Sequence, residues 1–487
     1  MLHEIALEQL QAEKEVENLL LVLLKNTKFS GKTHAVGGYV RDQYLGKESH
    51  DLDVVVEIQD GAKQLTHYLK SLFPNSITTP YNLGAYPIWE ITFEDNTIYQ
   101  NITYKTEGAV IQFADTMKES FPDPNSRQRN VEYATLREDI DRRDFTVNSL
   151  LKDLTTGEIK DLTNTSKNDI EKGILRSNPG INPDEIFNAD PLRMIRLIRF
   201  YCKFNWTIPI YMLKSVKRQS ARIKIVSNER IIEELKKIAE LGKLAQAIKL
   251  MKATNLLQYI LPEIQILAQT QQSPKHHEEG NVLIHTLAVL KHAPATIEGQ
   301  FAALLHDVGK PATFKIIKNE ITFRGHEDIG AEIAQEALHR LKLDTLTSQK
   351  IVTMVHHHMR PVFISNDRTS NKALRRFIRD VGEDLVNDIL DLAEADALGS
   401  TPVDNYVPEL RERLKTVKQS PIRPSSKPVL TGNEVMEILN VKPGKIVGEA
   451  NKFLLDVQDE YAEQNKELTK QEAEYLLKNW QDQRNTL

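Results

Sequence analysis

Gly37-Gly38-Tyr39-Val40-Arg41-Asp42, followed by Asp51-Leu52-Asp53, is the stretch of this 487-residue chain best equipped for chemistry. Glycines at a strand-to-helix turn leave backbone N–H groups free at the positive end of a helix dipole, where a phosphate can be held. His34-Ala35-Val36 reads as the strand and Tyr39 to Leu45 as the start of the helix. Asp51 and Asp53 lead into Val54-Val55-Val56, and residues two apart on a strand point to one face. Two carboxylates side by side repel each other unless a cation sits between them. Hard oxygen donors beside a phosphate cradle suit Mg²⁺, which is held by one or two carboxylates together with substrate phosphates. The combination reads as a nucleotidyl-transfer site, with Asp51 and Asp53 as its catalytic, Mg-binding pair.

Two further strings carry charge in useful places. In Arg142-Arg143-Asp144-Phe145-Thr146-Val147-Asn148 the adjacent guanidinium groups suit a triphosphate, because each makes paired hydrogen bonds to phosphate oxygens. Asp190-Pro191 before an apolar-periodic run is a helix start. Arg193 then falls in the first turn, where a cation opposes the helix dipole. Arg193, Arg196 and Arg199 share one face, which suggests an anionic or base ligand beside them.

With G-G-x-V-R-D and D-x-D at residues 37–53 and R-R-D-F-T-x-N at 142–148, the chain resembles the class II tRNA nucleotidyltransferase and bacterial poly(A) polymerase superfamily over roughly residues 30–265. The resemblance implies nucleotide binding by Gly37, Gly38, Arg41, Asp42, Arg142, Arg143, Asp144 and Asn148. Asp190 and Arg193 match the superfamily's E-D-x-x-R motif, which implies that they hydrogen-bond the base edge of CTP and then ATP, with Arg196 and Arg199 in support. Ala189 stands where that motif has Glu. The segment Thr103 to Glu132 takes the place of the superfamily's flexible loop, and its Arg127-Gln128-Arg129 follows the usual R-R-P only loosely. Gly157 to Leu162 and Gly173 to Arg176 match the next block and read as a hairpin and turn.

The second half is rich in histidine. His306-Asp307 ends an apolar helical run, with His285 upstream and His326, His356-His357-His358 and Asp396 downstream. Imidazoles and carboxylates from several helices can hold one or two divalent metals. The order resembles the HD phosphohydrolase superfamily, which implies coordination by His285, His306, Asp307 and Asp396. His326 and one of His356 or His357 are the remaining candidates. A metal-bound hydroxide there would attack a phosphoester.

The order of motifs and breaks predicts an α+β chain. An N-terminal helix (1–26) precedes a nucleotidyltransferase head of mixed sheet and helices (27–165). An all-helical neck (166–268), an HD domain (281–400) and a helical C-terminal region (401–487) follow. The polar stretch Gln269 to Gly280 and the proline-rich Lys418 to Pro428 mark the linkers. Net charge is −5, yet residues 190–249 hold 14 Lys and Arg against 5 Asp and Glu, a basic block suited to a phosphate backbone. One cysteine, Cys202, excludes an internal disulfide and fits a reducing cytosol. The acidic N-terminus is wrong for a signal peptide and its apolar run, Leu19 to Leu24, is too short to span a bilayer. A cytoplasmic protein with tRNA, CTP and ATP as partners is expected, with no membrane. CCA addition to tRNA is the leading reading. A poly(A) polymerase or partial CC- or A-adding enzyme is the first alternative, and a phosphohydrolase with an RNA-binding head the second.

Overall fold

The computed structural model describes residues 2–49, 51–84, 87–120, 130–272, 280–366, 369–419, 427–464 and 466–485. They form two compact units. One comprises Met1–Glu234 with Leu250–Ile260, the other Leu235–Lys249 with Leu261–Leu487, so the expected neck is shared between them.

The first unit opens with α1 (Leu2–Leu23), whose Val16, Leu19, Leu20 and Leu23 are buried. β1 (Thr33–Val36) is buried throughout and passes through Gly37 into α2 (Gly38–Tyr44). β2 (Asp53–Val56) and α3 (Gly61–Leu72) follow. Five short strands come next: β3 (Tyr81–Asn82), β4 (Ile88–Thr92), β5 (Thr97–Tyr99), β6 (Ile102–Tyr104) and β7 (Val110–Asp115). β8 (Met117–Ser120) and β9 (Asn130–Tyr133) form a hairpin before α4 (Leu136–Asp141). β10 (Leu151–Asp153) and β11 (Ile159–Lys160) complete a seven-stranded sheet of order β11-β10-β1-β2-β7-β4-β3.

β2 pairs antiparallel with β1 and parallel with β7, so it lies inside the sheet with its backbone hydrogen bonds made on both sides. Asp53 is in register with Val36 on one side and Gln112 on the other. β7 corrects the expectation for Thr103 to Glu132: part of that segment is a central strand. Its alternation of exposed Val110 and Gln112 with buried Ile111 and Phe113 is the period-two pattern of a half-covered sheet. Arg127-Gln128-Arg129 lies outside the described residues. Helices Pro183–Ala189, Arg193–Phe204 and Ile210–Gln219 then carry the chain to Asn228–Glu240, within which the unit boundary falls.

The second unit is helical around Val282–Val289, Ile297–Leu305, His326–Leu341, Thr345–His357 and Val386–Gly399. A small antiparallel hairpin, β12 (Lys315–Ile317) with β13 (Glu320–Thr322), interrupts it. Helices Gly432–Leu439, Lys445–Glu463 and Lys470–Asn485 close the chain over a core of Val435, Leu439, Leu454 and Leu477. Among the described residues no helix is long and apolar enough to cross a membrane.

Candidate functional site

Gly37 adopts φ 74° and ψ −139°, a conformation open to glycine alone, and this sharp turn starts α2 directly off β1. A Cβ on Gly37 would point at the Arg143 guanidinium, 4.0 Å away, so the glycine turn and the arginine pair meet. Asp53 opens β2 as expected. Asp51 does not share the strand: it precedes it with φ 64°, a left-handed conformation unusual for a residue with a side chain. The reversal sends Leu52 into the core at 1% exposure and leaves Asp51 and Asp53 exposed on either side of it. Close packing around Asp53 pushes its carboxyl up to about 6, with Arg143 pulling it down and Asp51 adding to the rise. Carboxylates that repel each other in this way, next to a guanidinium, are hard donors matched to a divalent cation and a phosphate.

Arg143 is held from behind by Asp139, to which its Nη2 donates at 3.0 Å. Its Nε is buried with no hydrogen-bond partner among the described residues, so it retains donor capacity. Arg142 is more fully committed, to Asp139, to Glu119 at 2.8 Å and to the Met117 carbonyl at 2.9 Å. The fully buried Asp139 is a residue that sequence reasoning missed. Its signal was present in the Thr135–Glu138 capping box, which fixes where α4 starts and puts Asp139 one turn before both arginines.

Arg41 and Asp42 play an unexpected part. Arg41 is 3% exposed, pairs with Asp42 at 2.7 Å and donates to Asn148 Oδ1 at 2.6 Å. Asn148 Nδ2 donates in turn to Asp144 Oδ1, and Asp144 Oδ2 accepts two bonds from Arg196, at 3.0 and 2.6 Å. Arg199 and Arg196 both face Glu234. The predicted residues thus form a buried relay that locks the glycine turn, the arginine string and the helix Arg193–Phe204 together, rather than a row of free phosphate ligands.

Asp144 is depressed to about 2: the charges of Arg196 and Arg193 and the Asn148 hydrogen bond outweigh the cost of burying it. Its carboxyl ionises at lower pH in the fold than in the unfolded chain. The stabilisation, about 2–3 kcal/mol, is therefore complete above the ordinary carboxylate value and lost as pH falls through about 2. The difference in unfolding midpoint between the natural chain and Asp144→Asn is expected to shrink as pH drops from about 4.5 towards 3.

Asp190 and Arg193 sit one turn apart. Asp190 Oδ2 accepts from Arg230 at 2.7 Å, and Arg193 donates to the carbonyls of Arg142 (2.8 Å) and Ile186 (3.4 Å). Ala189 offers Arg193 no carboxylate, and these backbone oxygens fix its planar fork instead.

In the second unit the histidines gather into two groups, His285, His306 and Asp396, and Asp307, His326 and His358. Within each group the ligand atoms lie within 4.8 Å of one another. Asp307 serves both. Its Oδ2 lies 3.2 Å from His306 Nε2 and 3.6 Å from His285 Nε2, while its Oδ1 lies 3.3 Å from His326 Nε2 and 4.0 Å from His358 Nε2. Lys310 also reaches Asp307 Oδ2, at 2.6 Å. His306, His326 and His358 each place Nδ1 on the carbonyl three residues earlier, at 2.8, 2.9 and 2.6 Å. That contact puts the proton on Nδ1 and turns the Nε2 lone pair inward, the arrangement metal-binding histidines require. Burial, with His306 and His326 alongside, pushes His358 down to about 3, so it is neutral at physiological pH. The donor set fits two divalent ions.

His356 and His357 do not join it. His356 is half exposed against Asp328, and His357 packs on His356. The buried stripe Ile351, Met354, Val355 and His358 follows helical spacing and picks out the third histidine of the triplet. Gly309 lets the backbone after His306-Asp307 approach the helix His326–Leu341 closely: a Cβ there would meet the His326 carbonyl at 2.1 Å.

Comparison with known proteins agrees with both units. Family models match in order: a poly A polymerase head domain over residues 33–176, a probable RNA and SrmB-binding site of polymerase A over 206–267, and an HD domain over 282–400. The CC-adding tRNA nucleotidyltransferase of Thermus thermophilus is 30% identical over 359 residues, which cover 71% of this chain and 77% of that protein. The chain belongs to the tRNA nucleotidyltransferase family. Another tRNA nucleotidyltransferase, the A-adding enzyme of Deinococcus radiodurans, is 30% identical over 66% of this chain and 75% of its own length. The crystal structure of the Bacillus stearothermophilus CCA-adding enzyme with CTP shares the fold, with a TM-score of 0.61 and 16% identity over 98% of this chain and 99% of that one.

Proposed function

We propose that this tRNA nucleotidyltransferase adds C, C and A to the tRNA 3′ end from CTP and ATP. The observation that carries the reading is the meeting of Asp51, Asp53 and Arg143 at the Gly37 turn, braced by the relay of Arg41, Asn148, Asp144 and Arg196, with Arg193 opening the helix that carries Arg196 and Asp190 three residues before it. The tRNA 3′-hydroxyl forms a bond to the α-phosphorus as the bond to pyrophosphate breaks, and the hydroxyl proton leaves to solvent. Asp51 and Asp53 would hold a Mg²⁺ ion, which would supply Lewis acidity to the 3′-hydroxyl and the α-phosphate. Arg143, with donors to spare, and the backbone of Gly37 and Gly38 orient the triphosphate. Asp190 and Arg193 present one acceptor and one donor edge to the base, and a wrong base leaves buried polar groups unpaired. The basic helices that follow hold the acceptor stem through phosphate and shape. The HD unit is read as a phosphohydrolase with two divalent ions on His285, His306, Asp396, Asp307, His326 and His358.

The name of one relative favours CC addition alone and that of another A addition alone. Labelled tRNA ending at the discriminator base, given CTP, ATP or both and resolved at single nucleotides, separates these. Three additions with both nucleotides and two with CTP alone are expected. Arrest after two with both present makes the enzyme CC-adding. A ladder from ATP alone makes it a poly(A) polymerase.

A further inference from the structure

We propose that Glu13, on the N-terminal helix, is a positioning residue for nucleotidyl transfer that holds the backbone between Asp51 and Asp53; this rests on the reading of those two carboxylates given above. The matched family regions begin at residue 33, so α1 lies outside them. Glu13 is 2% exposed, and its Oε2 accepts the Leu52 N–H at 3.1 Å. One turn further along the same face, the equally buried Glu17 accepts from the Tyr39 hydroxyl at 2.7 Å and from Gln43 at 2.9 Å, and pairs with Lys152. The helix therefore grips the site at two points, the glycine-turn helix α2 and the aspartate segment.

Stability alone does not account for two buried carboxylates, since apolar side chains of similar size would fill these positions without the cost of desolvating a charge. What the acids do is local. Asp51 has a left-handed backbone, φ 64°, which is sparsely populated even though aspartate tolerates it better than most side chains, and contacts from outside the segment select it here. Leu52 supplies one restraint through its buried side chain. Glu13 supplies the other through the amide, and with both in place the two carboxylates on either side are fixed relative to each other.

The test compares Glu13→Ala, Glu13→Asp and Glu13→Gln in the full chain. Aspartate keeps the charge but is a methylene too short to reach Leu52, whereas glutamine keeps an acceptor oxygen at the right distance. Expected for Ala and Asp are faster amide exchange in the 51–56 segment and kcat lower by about 30-fold, with KM for CTP within about threefold. Mn²⁺ affinity, measured above what an Asp51→Ala/Asp53→Ala chain binds, is expected to fall by about tenfold. Glutamine is expected to restore kcat to within about threefold. A folded Ala or Asp variant with undiminished kcat overturns the proposal, as does a Gln variant as slow as Ala. Should Ala fail to fold, the Asp and Gln pair decides. A natural chain that extends no tRNA overturns the reading of the reaction instead, and amide exchange and Mn²⁺ binding still judge the role of Glu13.

Discussion

Asp53→Ala is expected to stop nucleotide addition while tRNA remains bound, with kcat lower by about 10⁴-fold. Asp53 sits at the start of an interior strand hydrogen-bonded on both sides, so its carboxylate is presented by a part of the fold with little freedom to move. No other carboxylate can swing into its place from that register, because the neighbours across the sheet are Val36 and Gln112. Removing it leaves Asp51 to hold a divalent ion alone and leaves Arg143 with one anion fewer to face. The tRNA-binding surface expected on the basic helices is untouched. Single-turnover extension together with filter binding of tRNA checks this. Activity within tenfold of the natural chain would place the chemistry elsewhere. Asp53→Asn should behave like Ala, since the lost charge rather than the lost volume is what matters.

If the HD unit is the two-ion phosphohydrolase proposed, His358→Ala is expected to remove one of its divalent ions and to lower phosphoester hydrolysis by about 10³-fold, whereas His356→Ala and His357→Ala leave both unchanged. His358 is 3% exposed, its Nδ1 is committed to the Val355 carbonyl and its Nε2 lies 3.1 Å from that of His326. His356, by contrast, faces solvent and Asp328. Metal content per chain by atomic emission and hydrolysis of a 2′,3′-cyclic nucleotide read out the two effects. Undiminished metal content and hydrolysis in His358→Ala, with losses in His356→Ala instead, would show that the inward-facing histidine is not the ligand. Nucleotide addition, which belongs to the first unit, serves as the control for folding.

The strings that carry chemistry were legible because each combines residue types with a geometric demand. Gly37 must turn, Asp53 must open a strand, and His306-Asp307 must end a buried helix. What escaped is of another kind. The period-two argument put Asp51 on the strand, but the strand begins two residues later, and burial of Leu52 is met by a left-handed turn that no local pattern announces. The resemblance put Arg41 among the nucleotide ligands, whereas its buried guanidinium donates to Asn148, 107 residues away, a pairing with no local signal. Glu13 on Leu52 and Asp139 behind Arg143 are likewise partnerships between elements that only the assembled sheet brings together. The histidine triplet could have been resolved from sequence by extending the apolar stripe of Ile351 and Val355 one more turn.

Asp307 stands in both histidine groups, one oxygen toward each. Either candidate ion position can therefore be lost under mutation without the other. Loss of His326 or His358 leaves the other group whole, and loss of His285 or Asp396 does the same in reverse, so a lineage can drift from two ions to one by either road. No change at 307 is so forgiving. The position is a shared hinge in mutational terms, and relatives that have given up one ion should differ at the outer ligands long before they differ at this aspartate.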